Sequence, residues 1–186
     1  MSTPNSSLSF GSNYAILNLD WTTILINAVK DTPEGPAMIT NCIKWNDAVH
    51  LKTPRPLTVF STLSFSPNQR EVAPDSPFAR LITPFGEFRK GSSEAQICDA
   101  FKVDEKDLIL QKTRIKSGLS LSGVVMAAIY RLFDLDYELY VIGDSVLEFP
   151  VDQAESVANV MLNILLPKMG LHVITLSEAL HALDNS

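Results

Sequence analysis

Asp20 and Lys112 each close an apolar run, and at such positions a charged side chain can act on a bound molecule. Asp20 ends "YAILNLD", residues 14–20, and Lys112 ends "DLILQK", residues 107–112. A carboxylate just past a buried strand is partly desolvated, which suits it to proton transfer. The same place suits an N-cap for the following "WTTILINAVK", because Asp is a preferred cap. A lysine at the matching edge can bind or polarise an anionic group, or keep a nearby nucleophile ionised. It can equally snorkel from the strand end, and Arg114 is a second cation close by.

The third feature is "SGLSLSGVV", residues 117–125. Counted from Gly118 it gives G-L-S-L-S, so Ser122 stands where a nucleophile elbow needs its second glycine. It also lacks the Gly-Lys-Ser/Thr ending of a phosphate loop. What remains is a helix start capped by Ser120 or Ser122, whose backbone N–H groups form a generic anion site or an ordinary serine cap. Ser120, Ser122, Gly123 and Val124 are therefore the candidate substrate-binding residues. His50, His172 and His181 have no ligand spacing, so no metal and no cofactor are expected. Cys42 reads as core and Cys98 lies in no nucleophile setting. No Ser-His-Asp set can be assembled.

The elements that must position these residues follow from periodicity. Strands are predicted at 14–19, 56–62, 107–112, 137–144 and 171–175, from apolar or β-branched runs. Helices are predicted at 36–52, with Ile39, Cys42, Ile43 and Val49 on one side, and at 122–134. A further helix at 152–166 carries an Asp152/Glu155 capping-box pattern, and the last, at 177–183, has Ser177 as its cap. Segment 63–102 is broken by Pro67, Pro74, Pro77 and Pro84 and is rich in phenylalanine, which reads as a lid-like cover. The alternation of strands and helices argues an α/β fold, three-layer α/β/α, with a mostly parallel, Rossmann-like sheet of about five strands. Ligands in such sheets bind beyond the carboxyl ends of the strands, where Asp20, Lys112, Asp144 and loop 113–122 fall.

Composition agrees with one folded domain. The chain has 186 residues, 46% hydrophobic and 19% charged. A net charge of −6 without a Lys/Arg run argues against nucleic acid and anionic membranes as partners. No apolar run has transmembrane length. Residues 1–12, "MSTPNSSLSFGS", are expected to be a loose tail rather than a secretory signal, with 13–186 forming the domain. Two isolated cysteines suggest a reducing, cytoplasmic location.

Taken together, "YAILNLD", "DLILQKTR", "SGLSLSGVVMAAIYRLFDLDYELYVIGDS" and "MGLHVITLSEAL" resemble the isochorismatase-like family, which includes the cysteine hydrolases of nicotinamidase type. The flavour is that of a fungal-type branch, and the likeness covers most of residues 13–183. The resemblance implies a hydrolase of a small carboxylated, amide or ether substrate, with Asp20 as catalytic Asp and Lys112 as catalytic Lys. It puts Val124 where the amidase members carry a nucleophilic Cys, so activity here would be Cys-independent, as in the isochorismatases proper. A catalytically inactive binding protein on the same fold is the alternative. The resemblance also suggests a homo-oligomer. In the family a helix and a central strand separate the Lys strand from the Gly-rich turn, whereas here only "TRIKS" does. A crossover with its helix needs about a dozen residues. Either "DLILQK" moves into the vacant place beside the first strand, or the chain is a shortened form with unpaired strand edges.

Overall fold

The computed structural model describes residues 8–113, 120–148 and 154–186. Strands β1 (Ala15–Leu19), β2 (Leu57–Leu63) and β3 (Leu108–Lys112) form a parallel sheet in the order β1-β2-β3. Leu17 lies opposite Val59, and Val59 opposite Leu108. A second parallel pair consists of β4 (Tyr140–Ile142) and β5 (His172–Ile174). Parallel neighbours require crossovers. Helices α1 (Thr23–Val29) and α2 (Gly35–Leu51) join β1 to β2, and the segment bearing α3 (Pro77–Ile82) joins β2 to β3. A π-helical turn (Leu121–Val125) running into α4 (Met126–Phe133) precedes β4. Helix α5 (Ala154–Val160), another π-helical turn and α6 (Leu166–Lys168) lead to β5, and α7 (Leu176–Asp184) closes the chain. The α/β architecture, the parallel pairing and the five strands are those the sequence predicts.

β3 does not take the place beside β1; it lies beside β2. Both of its ends are tied there. Arg55, just before β2, pairs with Asp107, just before β3, and the N–H of Ser64 donates to the carbonyl of Lys112 at 3.1 Å. Among the described residues β1 has β2 as its one ladder partner, and β4 has β5.

The strand predicted at 137–144 is shorter than expected. Residues 143–145 form a 3-10 turn because Asp144 is engaged elsewhere. Its carboxylate accepts the N–H of Leu176 at 2.9 and 3.1 Å, at the start of α7. That helix is capped by Thr175, not Ser177. Thr175 Oγ1 accepts the N–H of Glu178 and the Glu178 carboxylate accepts the N–H of Thr175, a complete capping box. The box expected at Asp152 and Glu155 involves a residue outside the described ones.

One core holds both sheets. α2 buries Met38, Cys42, Trp45 and Val49 in a cluster with Ile16 of β1, Phe60 of β2 and Ile174 of β5. Phe65, Phe88 and Phe101 of segment 63–102 are buried in the same cluster. Phe65 forms a single parallel bridge to Arg89 within that segment, its N–H donating to the Phe88 carbonyl at 2.7 Å and its carbonyl accepting from the Lys90 N–H at 2.8 Å. Phe10 packs edge-on to Tyr140, the ring centres 5.1 Å apart. A second cluster unites Met126 and Ile129 of α4 with Val141, Leu166 and Leu171.

Candidate active site

β1 stops where its backbone turns at Asp20, which adopts φ 59°, a left-handed conformation rare outside glycine and best tolerated by Asp and Asn. The Asp20 N–H donates to the Ser61 carbonyl at 3.0 Å, which fixes the turn against β2. The carboxylate is fully buried. Asp20 is not the cap of α1; Thr22 holds that place. Instead its Oδ1 accepts from Ser61 Oγ at 2.6 Å and from the Lys112 ammonium. Lys112 Nζ also donates to Ser61 Oγ at 2.8 Å. The structure thus brings Asp20 and Lys112 together, with Ser61 closing a triangle drawn from the ends of all three strands. Sequence reading missed Ser61. Its signal was one of three hydroxyls, with Thr58 and Thr62, in the strand "LTVFSTL", each of which demands partners when buried.

The Ser61 hydroxyl is saturated. It donates to Asp20 Oδ1 and accepts from Lys112 and, at 3.2 Å, from the Asp20 N–H. Asp20 Oδ2 is different, being buried with no hydrogen-bond partner. Asn18 Nδ2, Thr22 Oγ1 and Ser64 Oγ, from the flanking chain, are also buried and unpartnered. An unpaired buried polar atom costs on the order of 1–3 kcal/mol, and such a carboxylate oxygen can receive a ligand's donor. Burial pulls the Lys112 ammonium below the usual lysine value, against the opposing charge and hydrogen bond of Asp20. The ammonium is therefore easier to deprotonate than a surface lysine.

The helix start at Ser120 does bind an anion, and that anion belongs to the chain. Glu148 is buried, and its carboxylate accepts from the Ser122 N–H at 2.6 Å, from Ser122 Oγ at 2.9 Å and from Ser120 Oγ. Leu121 N–H donates to the Leu147 carbonyl at 2.7 Å, which holds the glutamate over the first turn. A Cβ on Gly123 would lie 3.3 Å from that of Ser120, so the turn is tight, and Val124 is buried beneath it. Arg114, Ser117 and Gly118 lie outside the described residues.

At the other end of the sheet, His50, Asp104 and Asp107 bring ligand-type atoms within 4.8 Å of one another. Arg55 already supplies the cation there, bonding both carboxylates, while His50 Nδ1 sits 2.7 Å from the Asn46 carbonyl. The arrangement is an ion-pair clamp on the entry to β2 and β3. His172 stacks on Tyr140, the ring centres 4.5 Å apart. Cys42 is buried beside Met38, and burial, with a smaller push from Asp144, raises its thiol to about 12. A cleft of about 650 Å³ opens between α1 and residues 84–94, lined by Asn27, Phe85, Glu87 and Arg89 among others, and neither Asp20 nor Lys112 contributes to it.

No family model matches the chain, and no curated protein is similar to it in sequence. Solved structures are similar in fold. An isochorismatase family protein from Burkholderia thailandensis superposes with a TM-score of 0.73 at 15% identity, covering 96% of this chain and 100% of that one. A cysteine hydrolase from Pseudomonas syringae pv. phaseolicola gives 0.71 at 12% identity, covering 100% and 99%. N-carbamoylsarcosine amidase from Thermoplasma acidophilum gives 0.61 at 15%, covering 89% and 97%. At such identities the likeness is one of architecture, and the chain has the isochorismatase-like α/β fold.

Proposed function

We propose that the chain is an isochorismatase-like hydrolase that works without a cysteine nucleophile, on a small carboxylated substrate with an amide or ether bond. The observation that carries this reading is the buried Asp20–Ser61–Lys112 contact, with one Asp20 oxygen left without a partner. Asp20 acts as the acid or base through Oδ2. Lys112 holds or polarises an anionic oxygen, and Ser61 keeps the two side chains in place. With an enol ether, the acid form of Asp20 protonates the vinyl carbon. Water then adds to the oxocarbenium ion, and the hemiketal collapses to a ketone and an alcohol. With an amide, the carboxylate takes a proton from attacking water.

Neighbours of the same fold include an isochorismatase family protein and an amidase, which supports hydrolysis as the reaction class. In this reading Val124 stands at the position of the amidase cysteine, and the chain lacks a helix and a strand of the family between Lys112 and Ser120. The two thiols are unpaired, which supports a cytoplasmic location. No helix among the described residues is long and apolar enough to cross a membrane. The test is a panel of vinyl ethers, amides and imides. Turnover by the native chain and its loss in Asp20→Asn are expected; turnover at the native level in that variant overturns the assignment.

A second reading is favoured by Glu148. Glu148 takes the Ser122 N–H and the hydroxyls of Ser120 and Ser122, and the Ser120 carbonyl takes the Gly123 N–H, so for Ser120, Ser122, Gly123 and Val124 to hold a substrate anion the carboxylate must give up its place. If it stays, the chain is a catalytically inactive binding protein on a hydrolase fold. Ligand binding without turnover across the whole panel is the result that reading predicts.

A further inference from the structure

The five parallel strands fall into a sheet of three and a pair, and aromatic rings measure the gap between them. His172 of β5 stacks on Tyr140 of β4, ring centres 4.5 Å apart, as paired neighbours on one face do. On the other side of Tyr140 lies Phe10, at 5.1 Å. Beyond Phe10, at 5.5 Å, lies Tyr14, which leads into β1. Neighbouring strands sit about 4.8 Å apart. The Phe10 ring thus stands where a side chain of an intervening strand would stand, and the gap between β1 and β4 is one strand wide. Phe10 closes one end of it. Its N–H donates to Ser186 Oγ at 2.8 Å, and Asn185 Nδ2 donates to the Leu8 carbonyl at 3.2 Å, which ties residues 8–10 to the end of α7.

Both strands start beside Phe10 and run the same way along α2. Trp45 of α2 meets Phe10 edge-on, ring centres 6.3 Å apart, and one turn earlier Asn41 Nδ2 donates to the Asp144 carbonyl at 2.8 Å, just past β4. Ile16 of β1 and Ile142 of β4 share the core with that helix, so α2 is the floor of the gap. Leu17, on the opposite face, is 43% exposed and leaves the other side open. Register assigns the hydrogen-bonding groups. The Asp20 N–H donates to the Ser61 carbonyl, so the main-chain groups of Ile16 and Asn18 also point to β2, and those of Ala15, Leu17 and Leu19 point into the gap. The His172 N–H donates to the Leu139 carbonyl, so Val141 faces β5, and Tyr140 and Ile142 face the gap. Among the described residues none of these gap-facing groups has a partner.

We propose that the gap is a groove for an extended segment of another protein, taken up as a strand between β1 and β4 so that the two sheets become one. Two facing edges of alternating N–H and C=O groups are complementary to a bare extended main chain, which can bond to both at once. The segment is about four to five residues long, the reach of β1 beyond Phe10. It is free of proline, which would lack a donor, and its side chains are small or β-branched and uncharged, because α2 closes one face with apolar core. Every described strand of this chain is already in a ladder, so a second copy has no strand to give and the donor is a different polypeptide.

The test is amide hydrogen exchange, followed by NMR, on the native chain with a capped five-residue peptide of alternating valine and threonine, from about 10 µM to about 1 mM. Exchange at Leu17, Leu19 and Ile142 is expected to slow at least about 10-fold at saturation, while Asn18 and Val141, already paired, change little. The same peptide with every second amide N-methylated loses its bonds to one edge and is expected to bind at least about 10-fold more weakly. That arm changes the peptide and not the protein, so folding does not enter. No slowing at the highest concentration overturns the proposal, and so does equal binding of the methylated peptide. Slowing confined to Ile109 and Gln111, whose N–H groups line the outer edge of β3, overturns it as well. So does slow exchange of the three gap amides in the chain alone, which would mean that its own tail or a second copy already fills the groove.

Discussion

Replacing Lys112 with methionine is expected to cost far more than the loss of a surface ion pair. The substitution keeps most of the stem but removes the ammonium. Asp20, with no solvent exposure, is then left with Ser61 Oγ on Oδ1 and nothing on Oδ2. Breaking a buried pair from one side costs about 3–5 kcal/mol, against about 0–1 for an exposed pair. The Lys112 side chain is 22% exposed, which places the cost near the lower end, at about 3 kcal/mol. In a domain of this size each kcal/mol moves the melting temperature by roughly 2–4 °C, so a fall of about 6–12 °C is expected. Thermal unfolding followed by circular dichroism measures it. Adding Asp20→Asn removes the stranded charge and should recover most of the loss. A fall under about 2 °C, or a double variant as unstable as Lys112→Met alone, refutes the reasoning.

Three further outcomes follow from the same contacts. Glu148→Ala strips the acceptor from two hydroxyls and one N–H at the start of α4; a loss of about 1–3 kcal/mol in urea unfolding is expected, and a neutral result contradicts the role given to Glu148. Cys42, buried and raised to about 12, should resist a thiol reagent at neutral pH in the native chain and react once unfolded, as mass mapping will show. Lys112, held below the usual lysine value, sheds its proton first in the folded state, so its own contribution makes stability rise with pH between its folded value and the ordinary lysine value near 10.4; that rise should vanish in Lys112→Met.

Much of the fold was legible because its strands are short runs rich in apolar and β-branched residues, bounded by breakers. "AILNL", "LTVFSTL" and "LILQK" could be read at nearly their true bounds. The strand at 137–144 was overread because Tyr137 looks like a strand residue but stands in solvent, and Asp144 turns away to cap α7. Thr175 lost to Ser177 in the reading because both are good caps, and only the reciprocal Glu178 contact separates them. In the site, Asp20 and Lys112 were visible as charges at strand ends. Ser61 was not, because its importance arises from pairing across strands 41 and 51 residues away in sequence. Glu148 was hidden for the same reason: an anion-binding helix start can be read locally, but the side chain that fills it lies 26 and 28 residues further on. The lateral place of β3 was also beyond local reading. It is settled by contacts such as Arg55 with Asp107, which no spacing rule announces.

The central claim is that Asp20 is the reacting acid or base of this fold. It is tested most directly by kcat/KM for Asp20→Asn beside the native chain, on whichever panel substrate the native chain turns over. Loss of a positioned proton-transfer group predicts a fall of about 10²–10⁴-fold, with the variant still folded. A folded Asp20→Asn with native kcat/KM would contradict the account.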